Sequence, residues 1–265
     1  MAGYRVRPHI MEISEFFNQD SDAVYFEETQ ASRFAKEVAG DFNPIHDPGS
    51  KRFCVPGDLL FSVVLNRYGV AENTKVEFAG MLGGATRMIL PQEAGDALIV
   101  VDDAGKPLLQ VAQSGRRYQD SAFIAALCSE YVKFSGQTFP GILVPLMRDA
   151  EVMINPARPL VIYKDMTITF NPDVNALFQA GNAAVAGNLA ASVDNKLCLR
   201  SADHQLVADG RKGSVRLSFT IEFEGQQIGT GEKNMLLSGL REYDEDAMMA
   251  IVDQYNAWRR DYSAA

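Results

Sequence analysis

Histidine, cysteine and tryptophan are scarce in this chain. Its 265 residues hold three histidines (His9, His46 and His204), three cysteines and one tryptophan. No two histidines stand at a metal-ligand spacing such as H-x-x-x-H, which leaves zinc hydrolysis without a ligand set and gives the expectation of no metal. Cys54, Cys128 and Cys198 are odd in number and widely separated, so they offer neither a disulfide framework nor a Cys-x-x-Cys motif. They read as small buried hydrophobes of a protein kept in a reducing compartment. Positive charge is in deficit: 25 Lys and Arg stand against 34 Asp and Glu, a net charge of −9. That balance argues against a nucleic-acid partner, because phosphate contacts need a basic field. The basic pairs Lys51-Arg52, Arg116-Arg117 and Arg259-Arg260 read as solvated surface. Long apolar runs are missing too. The longest, residues 59–65, falls far short of the roughly 20 residues that cross a bilayer, and the N-terminus lacks the basic start and apolar stretch of a signal peptide. The expectation is a cytoplasmic protein with no membrane partner.

Apolar residues are plentiful. At 47% hydrophobic and 22% charged, the chain can bury a substantial core as one large domain or two of ordinary size. Ala31, Phe34, Ala35, Val38 and Ala39 recur with the period of one helix face, and Gly40 supplies the left-handed residue that ends a helix. Gly40-Asp41-Phe42-Asn43-Pro44-Ile45-His46 follows at once. Pro44 holds Asn43 out of the α region, and Asp and Asn close local turns, so a rigid non-helical elbow is expected. Pro56-Gly57 then opens residues 58–69, apolar nearly all round and closed by Gly69, the pattern of a buried helix. An acid, an imidazole and an exposed helix start thus fall within one short span.

Later segments alternate as strands do. Val215, Leu217, Phe219, Ile221 and Phe223 form one set, Met166, Ile168 and Phe170 another, and residues 224–227 a hairpin turn leading to Ile228 and residues 235–237. Residues 75–79, 98–101 and 108–112 are matching material in the first half, with a turn at 102–106. The order of elements recurs: residues 121–134 read as helix, 140–144 as a buried helix behind Pro140-Gly141, and strands follow from Val161. This implies two copies of one unit, 1–118 and 119–265, of which only the first carries the Asp/His pair. Residues 181–188 are rich in Gly and Ala but lack the endings of a phosphate loop or dinucleotide fingerprint, so they read as a close-packed crossing and no cofactor is expected. Tyr255, Trp258 and Tyr262 read as anchors of a packed terminal helix. Nothing in the spacing of Cys54 and His46 makes them a thiolate pair.

The elbow, followed by the Pro-Gly step into a buried helix, resembles the MaoC-like (R)-specific enoyl-CoA hydratases of the hotdog superfamily. The likeness is close over residues 38–68 and topological elsewhere. It implies an α+β double hotdog, a long antiparallel sheet wrapped around central buried helices, with both units supplied by one chain as a monomer or homodimer. It also implies an acyl thioester of CoA or of acyl carrier protein as partner, and addition or removal of water at a 2-enoyl/3-hydroxyacyl thioester. Asp41 and His46 would be the catalytic pair. Asn43 would support the elbow or the water, and the Gly57 N–H would polarise the thioester carbonyl, since unpaired N–H groups at a helix start favour developing negative charge. The chain departs from the pattern in a short 46–57 segment, in a second half without the motif, and in Asp58, a carboxylate that could repel an anionic substrate. The alternative is a non-catalytic hotdog module that binds acyl-CoA or another small apolar ligand. A thioesterase on the same fold is a third reading.

Overall fold

A computed structural model describes residues 12–84, 86–93, 95–156, 160–172, 174 and 196–264; His9 and the Gly/Ala stretch 181–188 lie outside them. Short strands β1 (Asn18–Asp20) and β2 (Ala23–Tyr25) lead to α1 (Glu28–Arg33). Helix α1 starts on a capping box in which the Glu27 side chain accepts the Gln30 N–H and the Gln30 side chain accepts the Glu27 N–H. The helical face expected over residues 31–39 is present in two forms, since α1 passes into a π-helical turn, Phe34–Ala39. Gly40, at φ 68°, ends it as expected, and the Asp41 N–H reaches back 2.7 Å to the Ala35 carbonyl.

Buried helix α2 (Gly57–Tyr68) is followed by β3 (Val70–Phe78), β4 (Met88–Ile89), β5 (Ala97–Asp102) and β6 (Pro107–Tyr118). Then come α3 (Ser121–Gly136), a π-turn (Thr138–Ile142), α4 (Leu143–Asp149), β7 (Val152–Met153), β8 (Val161–Phe170), β9 (Leu197–Asp209), β10 (Lys212–Phe223), β11 (Gln226–Ser238), β12 (Arg241–Glu242) and α5 (Glu245–Ala264). Among the described residues ten strands form one antiparallel sheet in the order β1-β2-β4-β5-β6-β3-β8-β11-β10-β9. The two central strands, β3 and β8, pair from Asn73↔Thr169 to Glu77↔Asp165. Outward from that seam the connections match: β3 pairs with β6 and β6 with β5, while β8 pairs with β11 and β11 with β10. The architecture is an α+β double hotdog.

Every side chain of α2 from Asp58 to Leu65 is buried, which is why the helix is apolar on all sides. Each large apolar member contributes about 2 kcal/mol by leaving water. On α3, Tyr131 bridges the two sides of the core, 4.8 Å from the Phe61 ring and 6.2 Å from that of Phe219. Strand β10 buries the alternating set Val215, Leu217, Phe219 and Ile221. The hairpin turn is shorter than expected, because Glu224 and Gly225, both at positive φ, make it alone and the strand resumes at Gln226.

The second buried helix differs from the sequence expectation. Pro140 forces Phe139 into extended geometry (φ −115°, ψ 131°), so residues 140–142 stay in the π-turn and α4 starts only at Leu143. The sheet of the second half instead packs on α3, where Phe134 lies 5.0 Å from Phe219. Strand β9 is an addition; it ends the sheet, and its largely exposed pattern carries no apolar alternation.

Helix α3 ends against the backbone just before the elbow, where a Cβ on Gly136 would collide with the Ala39 carbonyl oxygen. Gly136→Ala is expected to lower stability by about 3 kcal/mol, read as an earlier urea midpoint with an unchanged slope.

Candidate active site

The elbow is non-helical over residues 41–43 as expected, but Pro44–His46 form a brief helical turn, because Pro44 at its first position has the φ a helix needs. Asn43 itself stays extended (φ −65°, ψ 122°), and its side-chain oxygen caps the turn by accepting the Ile45 N–H at 3.2 Å. Asp41 Oδ1 accepts the Asn43 N–H at 2.9 Å. These two bonds set His46 on the inner side of the turn, with Nε2 3.6 Å from Asp41 Oδ2. That separation makes any direct hydrogen bond between them a long, weak one and leaves room for a water bound to both. Nδ1 of His46 lies 2.7 Å from the Cys54 carbonyl. A carbonyl only accepts, so Nδ1 carries a hydrogen, and Nε2 faces Asp41 as a lone pair when the ring is neutral and as an N–H when it is protonated. The Cys54 thiol takes no part, its pKa being pushed up to about 11 by burial. Cys128 is buried as expected, whereas Cys54 and Cys198 are only half-buried.

Asp41, Asn43, His46 and Gly57 all line one cavity of about 980 Å³. Burial acts to raise the Asp41 pKa, but the hydrogen bond and charge of His46, the Asn43 N–H and the Lys233 ammonium together hold it below the ordinary value. Burial acts to lower the His46 pKa, but the hydrogen bond and charge of Asp41, the bond to Cys54 and the Asp58 charge hold it above.

Gly57 opens α2 with an N–H for which no acceptor is seen among the described residues. Its missing side chain has a second cause besides access to the cavity. A Cβ there would lie 2.6 Å from Tyr163 Cδ2 and 3.2 Å from Phe78 Cε1. Tyr163 belongs to a cluster that the sequence reading missed. Asp58 Oδ2 accepts from the Ser135 hydroxyl at 2.5 Å and from the Tyr163 hydroxyl at 3.2 Å, while fully buried Lys233 donates to Ser135 Oγ. Lys233 Nζ is 3.8 Å from Asp58 Oδ1 and 3.6 Å from the centre of the Tyr163 ring. Asp58, feared as a repulsive charge, is therefore neutralised from behind.

Two of these residues left a trace in the sequence. Lys233 keeps the inward phase of Met235 and Leu237, and Ser135 stands one helical turn after Tyr131 on the buried face of α3. Tyr163 left none. It has the outward phase relative to Met166, but a β-bulge shifts the register between Asn234↔Asp165 and Met235↔Tyr163 and turns it inward.

Helix α5 closes the outer wall; of the three aromatics expected to anchor it, Tyr255 is buried, while Trp258 and Tyr262 keep much of their surface exposed. The Tyr255 hydroxyl accepts the Phe42 N–H and donates to the Gly40 carbonyl, both at 3.1 Å. Tyr262 donates to Glu37, and Trp258 lines the cavity. Of the basic pairs, Arg117 is bound to Asp96 and Gln113, and Arg52 reaches the cavity wall. Among the described residues no group of His, Cys, Asp and Glu is arranged to hold a metal ion, and no helix is long and apolar enough to cross a membrane.

Fold and site together define a double-hotdog protein with an Asp–His pair in an apolar cavity. The chain belongs to the family described as Protein of unknown function (DUF3581), which matches residues 11–246. A search of curated proteins finds no match. Among solved structures, an acyl-CoA thioesterase II, TesB2, from Mycobacterium marinum aligns with 13% identity over 88% of this chain and 99% of its own, at a TM-score of 0.41. A conserved protein of unknown function with a hot dog fold from Alicyclobacillus acidocaldarius aligns with 10% identity over 86% and 98%, at 0.46. A MaoC-like dehydratase aligns with 9% identity over 85% and 99%, at 0.35. At such distances the reaction has to be read from this chain's own side chains.

The paired shifts give a window of stability. His46 is raised on folding, so its contribution is complete below its ordinary 6.5 and is lost as pH rises through the higher folded value. Asp41 is depressed, so its contribution is complete above 3.8 and is lost as pH falls through the lower folded value. The wild type is expected to exceed His46→Gln in Tm between pH 3.8 and 6.5 and to lose that margin on either side, measured by thermal unfolding across pH.

Proposed function

We propose that this protein is a hydro-lyase that adds water to, or removes it from, the 2-enoyl/3-hydroxyacyl thioester of CoA or of acyl carrier protein. In this reading units 1–118 and 119–265 pair to form the cavity, and only the first supplies acid and base. The observation that carries it is the gap between Asp41 Oδ2 and His46 Nε2, 3.6 Å wide, opening on the same apolar cavity as the Gly57 N–H, which finds no acceptor among the described residues.

A water held by the carboxylate and the imidazole loses a proton to Nε2 while its oxygen bonds to C3 of the enoyl group. The π electrons move toward the thioester oxygen, where the Gly57 N–H and the dipole of α2 meet the developing charge. The imidazolium, steadied by Asp41, then returns the same proton to C2, so no atom or electron is left over. Dehydration is the reverse sequence. Asn43 acts at one remove by capping the turn that carries His46. The raised His46 pKa suits a group that must be base in one half of the cycle and acid in the other.

Purified protein is expected to consume the enoyl absorbance of crotonyl-CoA and longer trans-2-enoyl-CoAs. Asp41→Asn and His46→Ala are expected to lower kcat/KM by at least about 100-fold while acyl-CoA still binds. Binding without turnover in the wild type would make the protein an acyl-CoA binding module, and release of free thiol would make it a thioesterase.

A further inference from the structure

Hydration as just described leaves the polar floor of the cavity unused. Asp58, Ser135, Tyr163 and Lys233 come from α2, α3, β8 and β11, and the first three face the cavity. Most of the cluster's protons are committed. Ser135 Oγ accepts from Lys233 and donates to Asp58 Oδ2 at 2.5 Å. The Tyr163 hydroxyl has only looser options, 3.2 Å to that same Asp58 oxygen and 3.1 Å to Ser135 Oγ, which already accepts from Lys233. It therefore holds the proton most easily turned toward a ligand.

Resting on the hydro-lyase reading, the geometry points to Tyr163 as a further catalytic residue, a neutral phenol that donates a hydrogen bond to the thioester oxygen beside the Gly57 N–H. Asp58, Ser135 and Lys233 are its positioning residues. The ring lies along the first turn of α2, where the space of a Gly57 side chain would be 2.6 Å from Cδ2 and 3.2 Å from Cε2. Phe78 braces it from the side with ring centres 5.9 Å apart. The Lys233 ammonium over the ring face draws electron density from the phenol and strengthens it as a donor. Burial and the charges of Asp58 and Asp41 push its pKa well above the ordinary 10.0, so the proton stays in place at working pH. No bond to Tyr163 forms or breaks. A hydrogen bond to the thioester oxygen strengthens as enolate charge develops, so its contribution falls on kcat more than on KM.

Tyr163→Phe keeps the ring against Gly57 and Lys233 and removes the hydroxyl alone. The expected result is a fall in kcat of about 100-fold, with KM for crotonyl-CoA changed by less than about threefold. A second readout needs no turnover. The conjugated thioester 2,4-hexadienoyl-CoA absorbs further to the red when its carbonyl is hydrogen-bonded, and that shift should shrink in Tyr163→Phe. Ser135→Ala leaves the phenol its proton and is expected to cost less than about tenfold in kcat. An unchanged kcat or an unchanged red shift in Tyr163→Phe overturns the assignment, as does complete loss of turnover in Ser135→Ala, which would make Ser135 the reacting group. Failure of wild type to bind hexadienoyl-CoA removes the hydro-lyase reading itself. Binding with the shift intact in Tyr163→Phe removes only the role of Tyr163.

Discussion

The antiparallel pairing of β3 with β8 is the constraint on which the cavity depends. It joins the two halves into one sheet, and its register decides what meets at the start of α2. Glu77 stands opposite Asp165, so the chain beyond Glu77 meets the chain before Asp165. Phe78 and Tyr163 are those residues, and both rings close over Gly57. A slip of one residue would turn every side chain of β8 to the opposite face and send Tyr163 away from the helix start. The bulge on β8 makes the same point from the other direction, since one extra residue is what brings Tyr163 inward while Met166, Ile168 and Phe170 stay in the core.

The cluster beside that seam also explains how a lysine can be fully buried. Taking an ammonium and a carboxylate out of solvent costs several kcal/mol each, and an ion pair at this distance recovers the cost only with further hydrogen bonds. Ser135 provides one to each partner, and the Tyr163 ring provides a negative face for the ammonium. The result reaches the Asp41–His46 pair. The positive charge of Lys233 helps hold Asp41 ionised, and the negative charge of Asp58 helps keep His46 basic. The cluster and the Asp41–His46 pair are thus coupled through the cavity even though they sit on different elements.

What was legible in the sequence was local. The Gly40 stop, the Asn43-Pro44 turn, the all-apolar α2 and the alternation of β10 each depend on residues within a few positions of one another, and each is found. The four proposed site residues line one cavity because they lie on consecutive elements. What escaped depends on distant pairing. Tyr163 is turned inward by a bulge that only the partner strand reveals, and β9 has no apolar phase because it borders solvent. The mistaken start of the second buried helix had a local cause that was in view, the restriction Pro140 places on Phe139. Lys233 carried a readable signal as well, a charge on the core phase of a strand, which is costly enough to demand a partner.

The orientation of Asp41 shows how far a site on a short turn depends on the rest of the chain. Its Oδ1 is taken up by the Asn43 N–H, which leaves Oδ2 to face His46. One oxygen holds the turn and the other faces the imidazole. That division holds only while the backbone on both sides of Asp41 is fixed, and the Tyr255 hydroxyl fixes both at once by bonding the Gly40 carbonyl and the Phe42 N–H. Tyr255 lies on α5 beyond residue 246, where the family match ends, while Gly136 presses on Ala39 from the opposite side. The carboxylate is therefore aimed by a helix from the far end of the sequence and by α3, neither of which carries part of the Asp/His motif. Helices that lack the Asp/His motif can still determine how the motif is aimed, because the orientation of a side chain comes from the contacts that immobilise its backbone as much as from its own chemistry.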